Sequence, residues 1–391
     1  MQKGILQYSL KDVMWHQDQF LLYASFPSNA ISFIINNDTL RGSYIAKFDT
    51  LGNYLWSKDF LVNIADVKTG NDDKIYITGE FKDTLTIGSQ SIISSGNSDA
   101  IILILDANGN YLTHIHGKNK LDSYFSGIAI DEYNNIWTLI SYGDTLDIAG
   151  TILTDTIFLP SVFSKGGTKL IKLNSTGQVL WVNPITHMMG GFVTEGKDYV
   201  FYTAGSHSSP WHSGSGLYKV SKDTVNYTLK SSEVVTPWTG DIYPLISDSL
   251  DNLYFISRWG SQYSNGTYLK KIDKNLQQLV SFPHETYADR IWTIDLSSDS
   301  DMKFYVIHNN RPFVSPPVLH KTYPLSLFNY ITIGVYNDNL EWSWIREIPG
   351  IFNAPYILAK DSTIIYVVGS YFNQQLLGND TLPDPGQGNE N

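Results

Sequence analysis

Between Lys74 and Phe81 (KIYITGEF) apolar and polar residues alternate with period two, the pattern of a strand with one buried face. From Ala100 to Leu105 (AIILIL) the run is continuously apolar, as expected of a strand covered on both sides. DTLTIG (Asp83–Gly88) lies between them. DANGN (Asp106–Asn110) follows as a hairpin turn in which Gly109 supplies a positive φ.

The same order returns along the chain. NNIWTLI (Asn134–Ile140), DTLDIAG (Asp144–Gly150) and TKLIKLNSTGQVLW (Thr168–Trp181) form a second copy. Phe20–Phe26 with Ser43–Trp56 precede both, and Tyr199–Gly205 with Gly216–Asp223 form a degenerate copy. Asp251–Ser257 with Thr267–Leu279, and Lys303–His308 with Ile331–Trp344, continue the series, and Ile364–Tyr371 begins a last unit. Each of the seven units, about fifty residues long, holds roughly four strands with no helical period between them. The expected fold is therefore all-β, a seven-bladed β-propeller of four-stranded antiparallel blades forming one domain over 1–391, with a linker-like end at 383–391.

The ends refine this expectation. Gly4–Ser9 aligns with Gly52–Ser57, so the N-terminal strand is expected to close the last blade. Gly388–Asn391 aligns with Gly96–Asp99, just before a third strand, so the last blade is expected to be incomplete. Its missing strand would come from a longer chain or from a partner adding a strand at that edge.

Composition narrows the partners. The net charge of −11 disfavours phosphate backbones, so nucleic acid is not an expected partner. No cysteine is present, which removes disulfides and thiolate metal sites. No apolar run is long enough to cross a bilayer as a helix, and the N-terminus lacks the apolar core of a signal peptide. The expectation is an intracellular protein, or an exported one whose leader lies outside this sequence.

Ile75–Gly88 and Asp99–Leu112, with Ile45–Trp56 and Lys169–Trp181 as partial copies, carry the pattern N-I-Y-x-T-G-x-F-x-D-T-L-x-I-G followed by D-A-x-I-x-x-L-D-x-x-G-N-x-L-W. This resembles the SBBP-like β-propeller repeats of secreted Bacteroidota proteins, over nearly the whole chain and most strongly in its first three units. The resemblance implies export to the cell surface or medium, often by type IX secretion. It implies no catalytic residues. The tripeptide Asp-Thr/Ser-aliphatic also looks like the O-glycosylation acceptor of exported Bacteroidota proteins. It makes Thr39, Thr84, Thr145, Thr224, Ser249 and Thr381 candidate sites; Asp entering a turn before a strand explains the same residues.

Other chemistry is weighed against plain structure. Asp106–Asn110 has oxygens at alternate positions, as a calcium loop would, but lacks the distal glutamate, and a hairpin turn explains it. His114 and His116 share one strand face and could hold zinc; solvated histidines on an outer strand are the plainer expectation. No catalytic motif, cofactor loop or metal set emerges, so the expected cofactor is none. The chain has 10 Trp and 25 Tyr. Trp56, Trp181 and Trp342 align as packing residues, whereas Trp211, Trp238 and Trp259 fall in loops or at loop borders, where a flat ring beside polar side chains could hold a sugar. Long connections between second and third strands, at Leu153–Gly167, Ser206–Gly216 and Asn309–Tyr330, mark a binding end. The expected function is a non-catalytic secreted or cell-surface scaffold for binding or adhesion, with a protein or glycan partner. The alternatives are a glycan-active enzyme using the central cleft, or a cytoplasmically made cargo or effector.

Overall fold

The computed structural model describes residues 10–25, 32–35, 38–154, 167–183, 190–205, 215–222, 239–261, 264–285, 291–298, 303–310, 319–320, 323–324, 330–349, 352–361, 364–371, 375–377 and 380–382. Every regular element among them is a strand. No helix there is long and apolar enough to cross a membrane. The chain divides into two compact units: Met14–Phe33 with Asn37–Pro237, and Met1–Val13 with Ile34–Asn36 and Trp238–Asn391.

The first unit carries blades one to four, apart from Leu10–Val13 of the first strand. Blade one orders Leu10–His16, Gln19–Ala24, Ser43–Phe48 and Tyr54–Phe60. Blade two orders Asn63–Thr69, Ile75–Phe81, Asp99–Leu105 and Tyr111–Asn119, and blade three Ser123–Ile130, Ile136–Tyr142, Gly167–Leu173 and Val179–Val182. Blade four shows Gly190–Glu195, Tyr199–Gly205 and Ser215–Ser221. The other unit carries blade five (Thr239–Ser247, Leu253–Ser261, Ser264–Ile272, Gln278–Glu285) and blade six (Ile291–Ser298, Phe304–Asn310, Tyr330–Tyr336, Trp342–Pro349). A two-stranded sheet, Phe352–Ala359 with Ile365–Tyr371, follows. Among the described residues six sheets have three or more strands. The seventh blade's closure, expected from Gly4–Ser9 and Gly388–Asn391, lies outside the described residues.

The apolar patterns place the cores between neighbouring blades. Leu21, Ile45, Ile77, Ile101 and Leu103 from blades one and two form one cluster, and Ile102, Ile104, Ile136 and Ile171 from blades two and three form the next. The run Ala100–Leu105 is buried throughout, because its alternate residues enter these two different cores.

Two features were not legible. The first strand of every blade from two to six, and of the following sheet, carries a β-bulge with one extra residue, as at Ala65 between Ile64 and Asp66, and that of blade five carries two. Four Asp-Thr-Leu segments lie at short hairpins: Ser32–Ile35 with Asp38–Arg41, Thr84–Ile87 with Gln90–Ile93 and Thr145–Ile148 with Thr151–Thr154 are inserted between second and third strands, and Gln375–Leu377 with Asp380–Leu382 follows Ile365–Tyr371; the fifth, Asp49–Leu51, lies in the three-to-four turn of blade one. Thr84 and Thr145 enter the first hairpin strand, while Thr39 and Thr381 lie on the second, so the motif fills two different positions of the hairpin.

One aligned position is corrected. Trp56 pairs with Lys47 and Trp181 with Lys172; their counterpart in blade six is Trp344, paired with Val335, not Trp342, which pairs with Tyr336. The turn before it uses Leu340 at positive φ where the others use Gly52 and Gly177, so no glycine marks the register.

Candidate functional site

Antiparallel blades place the turns joining strands one to two and three to four at one end, and the connections between strands two and three at the other. At the first end the turn at Asp106 is closed by its own side chain. Oδ1 accepts hydrogen bonds from Asn108 N and Asn110 N at 2.8 Å each, and Oδ2 accepts one from Asn110 Nδ2 at 2.9 Å. Asp49, Asn174, Asp273 and Asn337 repeat this, each oxygen accepting the amides two and four residues on. Oxygens turned onto N–H donors form hairpin turns, not a cation loop.

In the strand one-to-two turn of blade three the same device is buried. Asp131 accepts hydrogen bonds from Tyr133 N, Asn135 N and Trp137 Nε1, and pairs with Lys172 Nζ at 3.3 Å. The Lys172 ammonium also sits 4.7 Å over the Trp137 ring. Burial pushes the Asp131 carboxyl up, but the bonds from Asn135 and Trp137 and the Lys172 charge outweigh it and hold the group below the usual range.

Beside this turn lies a cluster that sequence reading missed, because its members are far apart in the chain. Lys222 Nζ contacts Glu132 Oε2 at 2.7 Å and Glu195 Oε1 at 2.5 Å, with the ammonium nearly buried. Burial pushes Glu195 up to about 7, with Lys222 opposing and Glu132 adding to the shift. The hydrogen bond from Lys222 holds Glu132 below its ordinary range. Tyr133, 75% exposed, adjoins Glu132. Between its unfolded value of 4.5 and its folded value of about 7, the native chain keeps a Glu195 proton that the unfolded chain has lost. Stability should therefore fall as pH rises through that interval, and Glu195→Gln should flatten the decline. Urea unfolding at pH 5 and pH 7 measures this; an equal decline in both proteins would refute it.

At the opposite end, Thr39, Thr84 and Thr145 are exposed; Ser249 is exposed too, but on the one-to-two turn of blade five, at the first end. Leu40, Leu85 and Leu146 following the threonines are buried, whereas Leu250 is exposed. Thr381 lies on the described strand Asp380–Leu382. Thr224, Trp211 and Trp238 lie outside the described residues. Trp259 lies two residues before the end of the strand Leu253–Ser261, its backbone opposite Thr239 and Gly266.

The histidines depart from expectation. The hairpin Thr145–Thr154 pairs with the outer strand of blade two, with Gly117 opposite Ile148 and Lys118 opposite Asp147, and extends that sheet to six strands. This cover makes an open groove of about 280 Å³ lined by His114, His116, Lys118, Asp147 and Thr176. The His116 side chain is only 10% exposed and bonds through Nε2 to Asp99 Oδ2 at 2.7 Å. His114 Nδ1 is 2.7 Å from the Tyr111 hydroxyl. Burial lowers both imidazoles below their ordinary range, and for His114 the His116 charge adds to it. His116 is thus not solvated, because the added hairpin covers a strand that would otherwise face water. Among the described residues no three His, Asp or Glu side chains gather as a metal set.

No family model matches the chain, and no curated protein matches it. Among solved structures, a puromycin hydrolase variant complexed with PGG covers 93% of this chain and 52% of its own at 10% identity, with a TM-score of 0.53. The chain thus spans about half the length of that protein. A protein of unknown function from Bacteroides caccae is 10% identical over 70% of this chain and 81% of its own, with a TM-score of 0.41. A luciferin-regenerating enzyme is 9% identical over 84% and 91%, with a TM-score of 0.45. At these identities the puromycin hydrolase likeness bears on fold alone, and the two below a TM-score of 0.5 carry no weight. Together with the repeated antiparallel sheets, it identifies the fold as a β-propeller.

Proposed function

We propose that the chain is a seven-bladed, non-catalytic scaffold for binding or adhesion that works outside the cell or on its surface. The observation that carries the reading is where the chain spends extra residues. Hairpins are inserted between second and third strands in blades one, two, three and six, and another follows Ile365–Tyr371. The three-to-four turns at the other end stay within the same five-residue pattern in five blades. Variable additions on one end of a rigid scaffold are where partner contacts are built. Trp211, Trp238 and Trp259 are assigned to a glycan partner on the stacking chemistry of their rings. The purified protein is expected to retain oligosaccharides on a glycan array, with retention reduced about tenfold or more in the triple Trp-to-Ala variant. Absence of retention on the array and of adhesion to whole cells would sink the scaffold reading.

Exposure of the Thr39, Thr84, Thr145 and Ser249 hydroxyls supports O-glycosylation of the Asp-Thr/Ser-aliphatic motif, with Thr224 and Thr381 as further acceptors. Protein from its native host should show at least one of these peptides carrying added hexose mass, which substitution of the acceptor by alanine removes. Unmodified peptides at all six positions would refute this.

The Glu132–Lys222–Glu195 cluster favours a second reading, a glycan-active enzyme. Two carboxyls whose environments drive their proton affinities apart beside an exposed aromatic ring are the parts of a general acid and its partner. On that reading array glycans would be cleaved, and Glu195→Gln would abolish the cleavage; intact glycans leave the scaffold.

A further inference from the structure

The groove on the outer edge of blade two presents hydrogen-bond donors and acceptors side by side. His114, His116 and Lys118 alternate along the strand Tyr111–Asn119 and so share one of its faces, and Asp147 stands directly opposite Lys118 on the paired hairpin strand. All four line the groove of about 280 Å³, and Thr176 joins them from the three-to-four turn of blade three. Burial lowers both imidazoles, so the rings are neutral at pH 7. The buried Asp99 carboxylate only accepts, so His116 Nε2 carries the proton and Nδ1 is left as an acceptor. The Tyr111 phenol is a stronger proton donor than a neutral imidazole; it donates to His114 Nδ1 and leaves Nε2–H as a donor. Thr176 Oγ1 donates to Asn174 Oδ1 at 2.8 Å, which leaves its lone pairs to accept. Asp147 Oδ1 is occupied by Gly150 N at 2.8 Å; its Oδ2 and the exposed Lys118 ammonium have no partner among the described residues.

This set suits neither kind of ion. A cation would meet the Lys118 ammonium, and an anion would meet the Asp147 carboxylate. A ligand whose own groups both donate and accept satisfies all five side chains, and that is the chemistry of neighbouring hydroxyls on a sugar ring. We propose that this groove binds one neutral monosaccharide unit, with Lys118 Nζ and His114 Nε2 donating to its hydroxyls and Asp147 Oδ2, His116 Nδ1 and Thr176 Oγ1 accepting from them. Neither imidazole has to turn, so the bonds to Tyr111 and Asp99 that fix the rings stay intact. The volume lies just below the usual range for ligand pockets, about 300–1,000 Å³, which fits a single ring and not an extended oligosaccharide. Water competes for the same groups in an open groove, so the affinity should be millimolar. The hairpin Thr145–Thr154 brings Asp147 to the outer strand and so completes the site. The assignment rests on the glycan partner proposed above for its ligand class, but not on Trp211, Trp238 or Trp259.

Saturation-transfer NMR of the full chain, titrated with the methyl pyranosides of glucose, galactose and mannose, is expected to show saturable millimolar binding of at least one. Lys118→Met keeps the apolar stem and removes the donor; Asp147→Asn keeps the acceptor for Gly150 N and removes the charge. Each should weaken binding about fivefold or more, since each deletes a hydrogen bond to a charged group. Circular dichroism checks that both variants are folded. Inorganic phosphate, titrated in parallel, should bind more weakly than the sugar. The triple Trp-to-Ala variant should bind the probes unchanged; if it loses them, the sugar sits at the tryptophans, and the groove assignment falls while the scaffold reading stands. Binding of none of the three probes, unchanged affinity in folded Lys118→Met and Asp147→Asn, or tighter binding of phosphate would overturn the assignment.

Discussion

Replacing Asp131 with alanine is expected to lower the unfolding free energy by about 3–5 kcal/mol, the usual cost of removing one partner of a buried ion pair. The substitution strips the acceptor from Trp137 Nε1 and from the Tyr133 and Asn135 amides, and leaves the Lys172 ammonium uncompensated. Asp106→Ala makes the informative comparison. It removes the same kind of turn-closing carboxylate, but its partners are exposed and water can replace it, so about 1 kcal/mol is expected. Chemical denaturation of both variants at pH 7 measures the difference. The Asp131 carboxyl is held below its unfolded value, so its contribution is present above that value and lost as pH falls through the folded one. The deficit of Asp131→Ala should therefore shrink in acid. Equal costs for the two variants would mean that the turn, not the buried charge, is what stabilises blade three.

Gly127→Ala should cost about 2–3 kcal/mol or more, at the upper range for forcing atoms into a packed interior. Gly127 lies in the bulge of blade three, and a Cβ there would stand 2.5 Å from Gly191 O and 2.7 Å from Val193 N in the bulge of blade four. Both obstacles are backbone, so no side chain can move aside. Polar bonds flank this contact: Asp66 accepts the Ile128 amide and Thr78 Oγ1 donates to Ser126 O between blades two and three, and Phe192 N donates to Thr203 Oγ1 within blade four. Gly150→Ala serves as the control. Its φ is +85° but nothing lies within 4 Å, so only the left-handed backbone penalty of about 1–2 kcal/mol applies. Thermal unfolding should separate the two, with the larger drop at Gly127; a larger drop at Gly150 would contradict the inter-blade contact.

The second strands were readable because their residues divide between two faces over seven positions, from Ile75–Phe81 to Ile365–Tyr371. The three-to-four turns were readable because Asp, Gly and Asn at fixed spacing each have a local task. Where Leu276 and Leu340 take the left-handed position, both buried, the pattern lost its marker and the tryptophan register slipped. The inserted hairpins escaped notice because four-residue strands are too short to show a period. The bulges escaped because one extra residue leaves the apolar pattern on either side intact. The candidate sites were least legible. Lys222 meets Glu132 and Glu195 only through tertiary packing. The cover that leaves His116 only partly exposed comes from a segment that follows it in the chain, in another repeat.

That borrowed cover also sets an order of events during synthesis. The outer strand of blade two is complete at Asn119, yet its last hydrogen bonds await Leu146–Ile148, which leave the ribosome later. Until then Gly117–Asn119 present an open edge while blade three is still being made. A translational pause between these segments should prolong that exposure, and a pause after Thr154 should not. The chain's vulnerable interval as it emerges is therefore set by the spacing of one hairpin from the strand it completes.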